Sequence, residues 1–93
     1  MSSNDMKMLI AIVRDADLDE ILQALLDDNF RVTRIASSGG FFRRGNATLM
    51  MGVSEKRVDE ALQIIQEYCA PSLDFAVKHA TVFVLDVDRF EQI

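Results

Sequence analysis

Tryptophan is absent from this chain, and cysteine, histidine, proline and tyrosine occur once each in its 93 residues. A lone Cys69 allows no intramolecular disulfide. His79 has no second histidine beside it, and Cys69 has no partner at ligand spacing, so no metal site and no cofactor are expected. Basic residues are in deficit, with 10 Lys and Arg against 15 Asp and Glu and a net charge of −5. Such a chain repels phosphate backbone and anionic lipid, which argues against nucleic acid or a membrane surface as partner. No apolar run approaches membrane-spanning length. Met1–Met6 lacks the basic-then-apolar layout of a signal peptide and reads as a flexible N-terminus, so a cytoplasmic location is expected. There is no Gly-x-Ser-x-Gly and no His placed by sequence beside a Ser, which argues against an enzyme.

What is present is a large apolar share, 49%. In a chain with room for one domain and one core, this points to apolar surface buried against a further copy, hence a homo-oligomer. Lys7–Arg14 (KMLIAIVR) is a branched apolar run too short for a helix and reads as a buried strand. Asp15-Ala16-Asp17 reads as a turn in which Asp17, with Glu20 three residues on, begins a helix. Leu18, Ile21, Leu22, Leu25 and Leu26 form its apolar stripe, and Asn29 is its stop. Phe30–Ala36 alternates as a strand. Ser37–Gly45 (SSGGFFRRG) holds three of the four glycines and reads as a loop. Asn46–Val53 is again a strand, in which Gly52 suggests a bulge or a close backbone approach.

Ser54 is placed to cap a second helix with Val58, Ala61, Leu62, Ile65 and Cys69 on its inner face and Pro71 at its end. Leu73–Lys78 is ambiguous, Ala80–Val87 is a strand and Asp88–Ile93 a tail. The order β-α-β-β-α-β is the ferredoxin-like arrangement of the α+β class, with two helices on one face of a four-stranded antiparallel sheet. The uncovered face again favours an oligomer. One domain spans 1–93.

Within the loop, Gly39 and Gly40 let backbone N–H groups converge on an anion, with Ser hydroxyls as further donors. Arg43 and Arg44 add charge, and with Arg31 and Arg34 they concentrate positive charge in one short stretch. Phe41 and Phe42 offer flat apolar surface, so the segment suits a ligand with phosphates and aromatic bases. A solvated hairpin loop remains the plainer alternative. Asn29, Arg31 and Thr33 alternate and point the same way. Asn reads an adenine edge, Arg forks onto phosphate or stacks, and Thr donates a hydroxyl. The alternative is a helix cap followed by two solvent-facing residues. The acids Asp27, Asp28, Glu55, Asp59 and Glu60 read as solvated helix faces.

The segments NFRVT (29–33), SGGFFRRGN (38–46), GVSEKRVDE (52–60), ATVFVL (80–85) and RFEQ (89–92) resemble the PII-like cyclic-di-AMP receptor family. The resemblance runs from Lys7 to Tyr68 and resumes at Ala80. It implies a PII-like signalling protein that binds the nucleotide cyclic di-AMP in clefts between subunits of a homotrimer, with a protein partner not named by the sequence. On the family pattern Asn29, Arg31, Thr33, Gly40, Phe41, Phe42, Asn46 and Gly52 match the binding surface, and Phe83 and Gln92 match contacts near the sheet and tail. Two departures stand out. The connection Pro71–His79 is much shorter than the family's loop before the last strand, and Phe42 stands where Leu is common. The other readings of the same residues are a PII-like sensor of another nucleotide or small anion, and a trimeric interaction module without a ligand.

Overall fold

The structure, a computed structural model, describes residues 5–35, 45–69 and 80–93. Along the chain run β1 (Met6–Arg14), α1 (Asp15–Asp27), β2 (Thr33–Ile35), β3 (Asn46–Ser54), a 3-10 turn (Glu55–Arg57), α2 (Val58–Glu67) and β4 (Ala80–Asp86). The strands form one antiparallel sheet in the order β2-β3-β1-β4. This is the expected ferredoxin-like α+β arrangement. No helix among the described residues is long and apolar enough to cross a membrane.

Strand parity decides which side is covered. Leu9, Ala11 and Val13 of β1 stand opposite Met51, Leu49 and Ala47 of β3, and this side faces the helices. Leu18, Ile21 and Leu25 of α1 and Ala61 and Ile65 of α2 close over it, all buried. The other parity set leaves Met8, Ile10 and Ile12, Met50, and Phe83 and Leu85 on the uncovered side. Phe83 and Leu85 are 51% and 46% exposed.

Several boundaries differ from the sequence expectations. The first helix begins at Asp15, and Asp17 lies inside its first turn rather than capping it. The Asp17 carboxylate is buried against Arg14, whose Nε donates to Oδ2 at 3.0 Å. Leu26 is turned out and exposed, because it falls off the line through Leu18, Ile21 and Leu25.

The end of α1 is as the sequence suggests. Asn29 has φ +66°, its N–H donates to the Leu26 carbonyl at 3.0 Å, and the Phe30 N–H donates to the Leu25 carbonyl at 3.0 Å. That bonding pair is a Schellman motif, and Phe30 packs into the same core as Leu25. With Phe30 drawn into the core, β2 is shorter than expected and begins only at Thr33.

Gly52 marks no bulge, since the β1–β3 register runs unbroken from Met6↔Ser54 to Arg14↔Asn46. Ser54 precedes the 3-10 turn but makes no side-chain capping bond, and α2 follows only at Val58. That helix ends at Glu67, before Pro71. Pro71, Leu73–Lys78 and His79 lie outside the described residues.

Candidate functional site

On the uncovered side, at the end of the sheet where β1 begins and β4 ends, lies a cavity of about 600 Å³. Its lining comes from Met6, Met8, Arg31, Thr33, Met50, Met51, Gly52, Val87, Phe90 and Gln92. The volume suits a drug-sized ligand, for which pockets run from ~300 to ~1,000 Å³. Chain geometry explains the convergence. Thr33 stands opposite Met50, and Met8 opposite Gly52, so their side chains or Cα atoms share one face. The Schellman turn at Asn29 redirects the chain after α1 so that Arg31 arrives at the same rim. Past β4 the tail is held to β1 by the Val87 N–H donating to the Met6 carbonyl at 3.3 Å, which brings Phe90 and Gln92 to the cavity.

Four of the residues singled out in the sequence therefore meet in one place: Arg31, Thr33, Gly52 and Gln92. They supply a guanidinium fork, a hydroxyl, an amide and a stretch of strand without a side chain. Arg31 is exposed, and none of the ion pairs among the described residues involves it. Arg34 does not join it. Arg34 stands opposite Leu49 on the helix-covered side of the sheet, while Thr33 faces the cavity. Arg31 and Arg34 thus fall on different faces.

The remaining site residues fall elsewhere. Asn29 is the exposed left-handed residue of the helix stop and is not part of the lining. Phe83 is on the same sheet face in the row of Ile10 and Met50, outside the cavity. Asn46 opens β3 opposite Arg14, at the strand end remote from Gly52. Six strand steps of ~3.4 Å put about 20 Å between them. Gly39, Gly40, Phe41 and Phe42 lie outside the described residues, as do Arg43 and Arg44.

Sequence reasoning missed the methionines and Phe90. Met6, Met8 and Met50 have the parity opposite to the core positions Leu9, Ala11 and Met51, a signal that was there to read. Thioether side chains adapt to flat apolar groups such as bases.

Elsewhere, Arg57 gathers two of the acids expected to be merely solvated, Asp28 and Glu60. Its Nε donates to Glu60 at 3.0 Å, and Nη2 donates to the Asp28 carbonyl at 2.8 Å and the Asp28 carboxylate at 3.3 Å. Hydrogen bonds from Arg57, and then from Asp28, hold the Glu60 carboxyl below its usual range, while the same Glu60 pushes Asp28 up. Among the described residues no group of three His, Cys, Asp or Glu is placed to hold a metal.

Residues 6–74 match the cyclic-di-AMP receptor family. The chain belongs to that family. Its structure is similar to that of a functionally unknown protein from Pediococcus pentosaceus, with a TM-score of 0.79 and 37% identity over 97% of this chain and 99% of that one. The fold is also that of Arabidopsis thaliana PII bound to citrate, at TM-score 0.66 and 20% identity over 90% of this chain and 78% of that one. A DUF3240 family protein from Shewanella baltica matches at TM-score 0.68 and 12% identity over 100% and 99% of the two chains. At those identities the last two establish the PII-like fold and nothing further. A ligand-binding signalling protein of PII-like fold is the description that family and fold support together.

Proposed function

We propose that this receptor-family protein binds cyclic di-AMP in clefts between the subunits of a homotrimer, catalyses nothing, and signals through ordering of the segment 37–45. The carrying observation is the cavity in which Arg31, Thr33, Gly52 and Gln92 converge over methionines. A cyclic dinucleotide needs donors for two phosphates and flat apolar surface for two bases, and this lining offers both kinds of group.

Two features favour a site between subunits. Asn46 and Gly52 both match the family's binding pattern yet stand about 20 Å apart on one strand, at ~3.4 Å per residue. A single ligand reaches both kinds of position most simply when they come from different copies. The uncovered side also exposes Phe83, Leu85 and Phe90. Contiguous apolar surface of this sort favours burial in an assembly.

Calorimetry with cyclic di-AMP beside ATP, ADP and cyclic di-GMP tests the ligand, and light scattering behind size exclusion tests the assembly. One cyclic di-AMP per subunit in a trimer is expected. A monomer at every concentration removes the intersubunit site. Preference for another nucleotide would replace the ligand while leaving the site. Hydrogen exchange with and without ligand tests signalling. Protection is expected at 37–45, with 71–79 nearly unchanged.

A further inference from the structure

The motif RVDE at 57–60 makes no contact with the cavity, yet its arginine joins the two chain segments that build it. Arg57 ends the 3-10 turn that follows β3, the strand carrying Gly52. From there it reaches the Asp28 carbonyl, which belongs to the residue closing α1, and its guanidinium carbon lies 4.0 Å from the centroid of the Phe30 ring. Phe30 immediately precedes Arg31.

Residues 28–32 have no strand pairing of their own, since β2 begins at Thr33. Their placement depends on the Schellman bonds and on what grips Asp28 and Phe30 from outside. The last turn of α1 contains no basic residue, so Arg57 supplies from α2's side the cation that helix carbonyls favour. Glu60 orients the guanidinium through Nε, leaving Nη2 for Asp28.

Resting on the reading of the cavity as a cyclic di-AMP site, we infer that Arg57 is a positioning residue for ligand binding: it locks the α1–β2 connection against the exit of β3 and so holds Arg31 at the rim. A fork with a planar face is required, because one group must donate in two directions while stacking on Phe30. Lysine has neither the fork nor the plane.

The test uses Arg57→Met, Arg57→Lys and the double variants with Arg31→Ala. Amide exchange of the free protein is read at Asn29 and Phe30, whose N–H groups make the Schellman bonds, with the β1 centre as internal reference. Affinity for cyclic di-AMP is read by calorimetry. Arg57→Met is expected to speed exchange at Asn29 and Phe30 relative to β1 and to weaken binding about tenfold, the scale of one hydrogen bond to a charged group. Arg57→Lys is expected to do the same in smaller measure. In the Arg31→Ala background the further loss of affinity should vanish, because the effect is exerted through Arg31. Unchanged exchange at Asn29 and Phe30, or an equal loss of affinity with and without Arg31, overturns the inference. If Arg57→Met does not fold, Arg57→Lys carries the same comparison. If the wild type does not bind cyclic di-AMP, the ligand reading fails, while the exchange at Asn29 and Phe30 still decides whether Arg57 holds the connection.

Discussion

Met8 of β1 stands directly opposite Gly52 of β3, and both line the cavity. The missing side chain is not demanded by the fold. A Cβ at Gly52 would meet only the Met6 methyl, at 3.7 Å, an ordinary contact. Glycine inside a strand costs stability relative to residues with a side chain, so on the proposed reading what it provides is room over the strand for the ligand.

Gly52→Ala is therefore expected to leave the free protein as stable or to stabilise it by ~0.5–1 kcal/mol, the usual cost of a glycine in regular structure. The same change should weaken cyclic di-AMP, and Gly52→Val should weaken it further. Thermal unfolding and calorimetry on the same samples give both numbers. A stabilised Gly52→Val that binds as well as wild type would move the ligand away from this strand.

Asn29 has two possible duties that one pair of substitutions separates. Its φ of +66° is required by the helix stop. Asn29→Ala puts a Cβ without a compensating amide into that conformation and should cost ~1–2 kcal/mol of stability. Asn29→Gly keeps the conformation and removes only the amide. If Asn29 also reads the ligand, Asn29→Gly keeps its melting temperature and loses affinity. Equal affinity would leave Asn29 a cap alone.

The element order was legible because each signal had a single physical reading. The short branched apolar run KMLIAIVR and the left-handed tolerance of Asn29 each admit one local structure. The helix start was misplaced at Asp17, a capping residue type, because its burial beside Arg14 inside the first turn is a tertiary fact. Asp28 and Glu60 read as solvated because their partner Arg57 is far from Asp28 in sequence. Arg31 and Thr33 stood out by their alternation, and Gly52 and Gln92 as binding residues through the family pattern. Their meeting in space could be seen only once the register of β1 with β3, and the return of the tail along β1, were known.

Beside the cavity, Lys7 of β1 donates to the Asp86 carboxylate at the end of β4. That hydrogen bond, opposed by partial burial and aided by the charges of Asp86 and Glu55, raises the lysine above its ordinary 10.5. A base whose folded pKa is raised contributes in full below the unfolded value, and the contribution fades as pH rises through the folded one. The wild type is thus expected to lose stability above pH 10.5 more steeply than Lys7→Met. Denaturant unfolding at a series of alkaline pH values compares the two. Parallel curves would mean that the pair is fully screened by solvent.

Arg31 and Arg34 carry the same charge three residues apart, but only Arg31 lines the cavity, while Arg34 stands opposite Leu49 on the helix side. General electrostatic attraction would treat them almost alike, since both are exposed. A directed contact would not. If Arg31 forks onto a ligand phosphate, Arg31→Ala should weaken cyclic di-AMP by ~1.5–3 kcal/mol, the range for hydrogen bonds to charged groups. Arg34→Ala should change affinity little, and what change there is should shrink as salt is raised. Arg31→Lys should recover only part of the loss, because an ammonium keeps the charge and lacks the fork. Calorimetry at two salt concentrations on these three variants separates contact from field. Equal losses at Arg31 and Arg34 that both disappear in salt would show that the protein merely attracts anions at this edge of the sheet, and that the converging side chains of the cavity do not recognise the nucleotide.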